Sequence, residues 1–256
     1  MAPRSIWNGT ITFGLVNVPI KLYTATESMS VHFNEVHARD GARIEHRRIC
    51  PKQDKEVPYE EIVKGYEVSE GKYVVLDKDE IKAAAGDRGK VVHLEDFVLA
   101  AEIDPIFFEK TYFVGAGDDK DAYRLLHEAL ARSGRAGIGR FSFHDREYLV
   151  AVRALDDVLA LHTLRFHDEI ASPDDVEVPK SSRKPSKREV EMAGKLVDML
   201  AADFDASSYE DTYREAVLDL IKRKAKGEEI DLAEQEEPAH GDDVLAALEA
   251  SLAGRS

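Results

Sequence analysis

Ser5–Thr26 reads SIWNGTITFGLVNVPIKLYTAT, and its reading decides the fold. Trp7, Ile11, Phe13, Val16, Val18, Ile20, Leu22 and Tyr23 are strand formers, while glycine and the Asn17-Val18-Pro19 triplet punctuate them. Gly14 inside such a run predicts a bulge or a bend. The stretch reads as two core strands of a closed or nearly closed sheet.

Immediately C-terminal lies VHFNEVHARDGARIEHRRICPKQDK, Val31 to Lys55. Asp40-Gly41 between two strand-like runs, Val31–His37 and Arg43–Cys50, predicts a β-hairpin, because both central turn residues need φ > 0. Arg39, Arg43, Arg47, Arg48, Lys52 and Lys55 face only Glu35, Asp40, Glu45 and Asp54 there, in a chain of net charge -15. A basic arm on an acidic body fits a polyanion partner. The competing reading is an edge hairpin guarded by charge against aggregation.

Farther along, Pro58–Lys64 has helical spacing at Tyr59, Ile62 and Val63, with proline at its start. Tyr73–Leu76, Val91–Leu99 and Lys110–Val114 read as strands, Asp79–Ala85 as a short helix ended by Gly86, and Asp119–Arg132 as an amphipathic helix. Ala136–Phe143, Glu147–Ala154 and Val158–Phe166 follow as three close-spaced strands, the pattern of a sandwich or barrel. From Ser172 the composition turns to proline, serine and charge, marking a linker. Ser186 with Glu189 forms a capping box for the next helix, and Ser207 or Ser208 is placed to cap one more, with Tyr209 and Tyr213 on its stripe. These two helices are too short to form a domain and must dock elsewhere.

Glu228 to Asp243 carries 8 acids and no Lys or Arg, an acidic linker by composition. Val244, Leu245, Leu248 and Leu252 then form the stripe of a short terminal helix. An apolar helix on a tether is the pattern of a docking peptide; the alternative is an end that folds back. Three parts result: residues 1–171 as core with a basic arm over about 30–75, residues 172–227 as linker and helical arm, and residues 228–256 as acidic linker and docking helix.

Charge is unevenly placed. Residues 201–256 carry -9 and residues 1–200 carry -6, so the low global pI says little against nucleic acid and local patches decide. No run approaches the roughly 20 apolar residues of a membrane span. The N-terminus has no apolar signal stretch, and Cys50 is the one cysteine, which fits a reducing cytoplasm.

Enzyme chemistry is hard to find. No GxxxxGK loop is present, and Gly115-Ala116-Gly117 and Gly137-Ile138-Gly139 lack a third glycine; both read as turns or close backbone contacts. Nine histidines are scattered without a ligand pair on one helix, and Cys50-Pro51-Lys52-Gln53 is half a zinc knuckle without its second cysteine. No cofactor or metal is expected. Basic surfaces remain. Arg132, Arg135 and Arg140 span nine residues without an acid; guanidinium groups beside the Ser133-Gly134 turn suit phosphate, or Arg132 simply complements a helix terminus.

With these residues in view, the chain resembles bacterial Ku proteins. The opening strand pair, EVPYEEIVKGYE (Glu56–Glu67), KTYFV (Lys110–Val114), GIGRF (Gly137–Phe141), EYLVAVR (Glu147–Arg153), LHTLRF (Leu161–Phe166) and EMAGKLVDML (Glu191–Leu200) fall in the family's order, and the likeness runs from Arg4 to Leu252. The resemblance implies an α+β, mainly β fold: a Ku-type β-barrel core, an extended DNA-embracing arm and a C-terminal helical arm. It implies a non-enzymatic homodimer whose ring threads onto double-stranded DNA ends without sequence specificity. It also implies recruitment of a multifunctional ATP-dependent DNA ligase for non-homologous end joining, in a cytoplasmic, nucleoid-associated setting. The DNA-binding candidates are Arg43, Arg47, Arg48 and Lys52 in the arm, Arg132, Arg135 and Arg146 near barrel turns, and Arg4 and Lys110 at strand starts. Val244, Leu245, Leu248 and Leu252 would dock the ligase. Two departures stand out: some relatives carry a full CxxC where this chain has Cys50 and Gln53, and longer relatives end in a Lys-rich tail where this one ends acidic. The competing classes are a metal-dependent DNA-processing nuclease, which needs a clustered acid set, and a protein-interaction adaptor whose basic arm is incidental.

Overall fold

A computed structural model describes residues 4–85, 90–143, 146–176 and 184–228. The chain divides into two units, Met1–Ser28 with Glu35–Asp175, and Met29–Asn34 with Val176–Ser256.

The first unit is built on the strand pair that opens the chain. β1 (Trp7–Phe13) and β2 (Val16–Thr24) are antiparallel, with Trp7 opposite Leu22 and Phe13 opposite Val16. Gly14, at φ +56°, is neither bulge nor bend. It is the first residue of a two-residue hairpin turn, where a positive φ matches the twist of the flanking strands. Asn17, Val18 and Pro19 continue β2 rather than interrupt it.

Five more strands close the barrel: β7 (Val91–Leu99), β8 (Phe108–Ala116), β9 (Arg135–Phe143), β10 (Arg146–Leu155) and β11 (Val158–Leu164). Their order is β1-β2-β8-β11-β10-β9-β7. Every neighbouring pair is antiparallel except β1 with β7, the parallel contact that seals the ring. Closure removes both sheet edges. Inside lie Ile11, Val18, Ile20, Leu22, Val92, Val114, Phe141, Val150, Val152, Leu159 and Leu161, all buried, with Trp7 edge-on to Phe141 at 5.6 Å between ring centres.

Helix α2 (Lys120–Ser133) adds Tyr123, Leu126 and Leu130 to this core. Asp119 caps its start by accepting from Ala122 N, and Gly134 at φ +63° ends it. The Tyr123 hydroxyl donates to Val114 O at 2.6 Å and accepts from Leu159 N at 2.9 Å. One side chain thus ties the helix to two strands. On the outer wall Ala136, Ala151 and Leu164 are buried under Ala100, Ile103, Phe107 and Phe108. That cover explains why Leu159–Leu164 is buried on both faces rather than alternately.

His162 sits in that covered wall. Arg153 Nε–H donates to its Nε2 at 3.0 Å, so Nδ1 carries the proton and donates to Thr111 Oγ1 at 2.9 Å. Burial, and then the Arg153 charge, lower the imidazole pKa from 6.5 to about 4. The folded state therefore refuses a proton that the unfolded chain accepts. Stability from this site is complete above about pH 6.5 and is lost as pH falls towards 4. Allowing for solvent screening, the loss is about 2 kcal/mol. Urea unfolding at pH 7, 5.5 and 4.5 should show His162→Gln with a flatter dependence than wild type over this window. Parallel curves for the two proteins would refute the assignment.

Between β2 and β7 the chain makes a long insertion. The expected hairpin at Asp40-Gly41 is reduced to a tight loop with a single rung, Val36 with Arg43, closed by His37 N donating to Ala42 O at 2.7 Å. Strands over Val31–His37 and Arg43–Cys50 do not form; only β3 (Ile49–Cys50) pairs, with β4 (Lys55–Glu56). The apolar side chains Phe33, Val36 and Ile44 stay exposed among charged neighbours, so the stretch lacks the buried apolar face that isolated strands require. The Pro58–Lys64 helix also fails. A single 3₁₀ turn, Tyr59–Glu61, leads straight into β5 (Lys64–Ser69), which pairs with β6 (Lys72–Leu76) before helix α1 (Lys78–Ala85).

In the second unit, α3 (Lys187–Leu200) starts on the expected capping box: Glu189 N donates to Ser186 Oγ at 3.3 Å and Ser186 N to Glu189 Oε2 at 2.6 Å. The next cap differs from expectation. Ser207 and Ser208 lie in a 3₁₀ turn begun by Asp205, and α4 (Thr212–Ala225) is capped by Asp211, leaving Tyr209 outside the helix. An ionised carboxylate caps as well as a hydroxyl and also favours the helix N-terminus electrostatically. No helix among the described residues is long and apolar enough to cross a membrane.

Candidate nucleic-acid interface

Strand direction sorts the basic side chains of the barrel. β1, β7, β8 and β10 run one way around the closed sheet and β2, β9 and β11 the other. One rim therefore collects the starts of the first set and the ends of the second. Arg4 precedes β1 on this rim, Lys90 precedes β7, Lys110 is the third residue of β8, Arg146 opens β10 and Arg165 follows β11. Arg4, Lys90, Lys110 and Arg146 are exposed.

The insertion springs from the same rim. It leaves at the end of β2 and returns at the start of β7. Arg43, Arg47, Arg48 and Lys52 on it are all exposed. Arg47 lies 3.6 Å from Glu56, and the Arg48 guanidinium stands 5.4 Å from the centre of the Tyr59 ring. Arg43 and Arg47 line one polar depression with Ile44, Glu45, His46 and Glu56. These are loosely held cations in water, each able to turn towards a phosphate at small cost.

Not every candidate belongs to this cluster. Arg132, at the end of α2, is held by Glu128 at 2.6 Å, and Arg135 donates to Phe97 O at 2.9 Å. Both sit at the opposite rim, because β9 runs from Arg135 to Phe143 before Arg146 is reached. Eight strand steps separate the two ends by roughly 26 Å. Arg146 itself is engaged by Glu169 at 3.1 Å and stacks over Tyr148 at 5.4 Å. Lys90 was not singled out from sequence, although it precedes a strand as Arg4 does. Arg165 shares the rim but donates to Ile106 O and Phe108 O at 2.9 and 2.7 Å, so its guanidinium is structural.

Cys50 carries a turn in which Gln53 N and Asp54 N donate to its carbonyl. Among the described residues, no three His, Cys, Asp or Glu side chains converge as metal ligands. The docking stripe Val244, Leu245, Leu248 and Leu252, with the acidic stretch before it, lies outside the described residues.

Residues 12–192 match the family model described as Ku70/Ku80 beta-barrel domain. A protein of Anaeromyxobacter sp. (strain K) named non-homologous end joining protein Ku is 47% identical over 255 residues, covering 98% of this chain and 85% of the relative. Like-named proteins of Bacillus subtilis and Mycobacterium tuberculosis are 37% and 38% identical, covering 97% and 99% of this chain and 81% and 96% of their own lengths.

Proposed function

The chain belongs to the Ku β-barrel family, and from that premise we propose that it binds double-stranded DNA ends without sequence specificity, as a homodimeric ring in non-homologous end joining. The observation that carries this reading is the shared rim: the basic insertion and Arg4, Lys90, Lys110 and Arg146 belong to one end of the barrel. Arginine and lysine contacts to phosphate position a protein without reading bases. We assign Arg43, Arg47, Arg48, Lys52, Arg4, Lys110 and Arg146 to the DNA, and place Arg132 and Arg135 as secondary contacts at the far rim. The protein acts as a scaffold rather than an enzyme.

A second copy is the natural cover for surfaces that water alone serves badly. β5 and β6 expose Tyr66, Tyr73, Val74 and Val75, on a two-stranded hairpin that is marginal in isolation. Separately, α3, α4 and the segment joining them expose Val197, Phe204, Tyr209 and Tyr213. A two-fold contact would bury the same patch on both subunits. A chain of this length has a radius of gyration of about 18 Å when compact, so two copies enclose a duplex more readily than one.

A ring admits DNA by threading. Linear duplex should therefore outcompete a covalently closed circle of equal length and sequence by at least about tenfold at equal salt, a margin of about 1.4 kcal/mol. Equal competition would remove the end-binding reading. The terminal segment is assigned to an ATP-dependent DNA ligase. Deleting Gly241–Ser256 should leave duplex affinity within about twofold and abolish stimulation of ligation. Loss of DNA binding in that deletion would overturn this division of labour.

A further inference from the structure

On the outer wall of the barrel, near the rim to which the insertion returns, β7 and β9 frame a depression of about 320 Å3 lined by Val91, His93, Glu95, Arg140 and Phe141. His93 and Arg140 are direct cross-strand partners, so their Cβ atoms lie about 5 Å apart. Two backbone features create this closeness. Gly139 has no side chain, and a Cβ there would meet His93 O at 1.9 Å. β7 also carries a register shift between Leu94 and Asp96, which leaves Glu95 out of the ladder register while it lines the depression.

The imidazole is held in place. Its Nδ1 is 2.9 Å from Thr12 Oγ1 on β1, and Nε2 has no partner among the described residues. The Arg140 guanidinium approaches Glu147 only at 4.0 Å, with its side chain half exposed. Ser142 lies two residues on from Arg140, on the same outward face of β9, and its hydroxyl oxygen is buried without a hydrogen-bond partner among the described residues. Buried hydroxyls seldom go unsatisfied. A fixed ring nitrogen and a planar guanidinium are groups that a tetrahedral oxyanion uses. The space holds one phosphate with several waters at about 30 Å3 each. Glu95 and Glu147 oppose an anion from the sides, so the geometry favours a group that can reach Arg140 and His93 together.

We propose that this depression is a phosphate-binding subsite in which His93 Nε2 and the Arg140 guanidinium take the oxygens of one DNA phosphate; the choice of DNA as the source rests on the function proposed above. That phosphate is either an internal diester or the monoester at a 5′ end. It would anchor the duplex on the barrel wall beside the insertion.

The test uses the full chain and the His93 ring resonance, identified by its loss in His93→Asn. The chain is titrated with inorganic phosphate and with two duplexes that differ only in carrying a 5′-phosphate or a 5′-hydroxyl. Movement with both duplexes places an internal phosphate in the subsite; movement with the phosphorylated duplex alone places the end phosphate there. Arg140→Gln should weaken duplex binding about fivefold to tenfold and lower the salt slope by about one, with Arg140→Lys intermediate. A complex that forms with the His93 resonance unmoved, or an Arg140→Gln protein that binds like wild type, would overturn the subsite while leaving DNA binding intact. If neither duplex binds, the end-binding function fails, and the inorganic phosphate titration decides. A saturable His93 shift abolished by Arg140→Gln retains an oxyanion site, and no shift removes it. Matching melting curves for Arg140→Gln and wild type exclude misfolding as the cause.

Discussion

Replacing Arg43, Arg47 and Arg48 together by alanine should lower affinity for a linear duplex by about 100-fold near 0.1 M salt. Each phosphate neutralised contributes about 0.9 to the slope of log affinity against log salt, so three contacts account for about 2.7 per subunit. Between 1 M and 0.1 M salt that slope alone is worth roughly 500-fold. The expectation is set lower because Arg47 already shares its charge with Glu56 at 3.6 Å. Folding should be untouched, since all three side chains are exposed and none belongs to the barrel core. Fluorescence anisotropy at four salt concentrations measures both quantities. A variant that keeps the wild-type slope would return the insertion to the role of a charged guard against aggregation.

The largest effect on stability is expected from a single methyl group. Gly139→Ala should lower barrel stability by about 3 kcal/mol, because overpacking against a backbone that cannot move away costs that much or more. The added Cβ would lie 1.9 Å from His93 O and 2.9 Å from Leu94 Cα. For a protein of this size the melting temperature should fall by roughly 6–12 °C. Gly194→Ala makes the matched control. Gly194 lies within α3, where a Cβ would meet nothing within 4 Å, and relief of glycine's backbone freedom should raise helix stability by about 0.5–1 kcal/mol. The same chemical change is thus expected to act with opposite sign at two sites. Gly139→Ala melting within a degree or two of wild type would show that β7 can retreat, and would remove the close strand contact that brings His93 to Arg140.

Much of this was legible locally. β7 runs over Val91–Leu99 as its β-branched pattern indicates, and α2 carries Tyr123, Leu126 and Leu130 inward at helical spacing between an aspartate cap and a glycine stop. Ser186 and Glu189 announce α3 by the same kind of short-range chemistry. These features depend on residues a few positions apart, so the chain writes them directly. Short apolar runs are different. Tyr59, Ile62 and Val63 fit a helical period, yet Ile62 and Val63 lead into a strand, because three positions cannot distinguish a helix from a strand.

Composition and pattern alone gave a sandwich or barrel with a basic insertion, an acidic end and a capped helical arm, and the family resemblance narrowed this to a barrel. Only the tertiary structure decided which cations share a surface. Arg132 and Arg146 are fourteen residues apart in an arginine-rich stretch, yet a full-length strand carries them to opposite rims, while Arg4, Lys90 and Arg146 share one rim because β1, β7 and β10 run the same way around the closed ring. Closure joins residues some eighty positions apart through strand direction and register, and no local propensity encodes either.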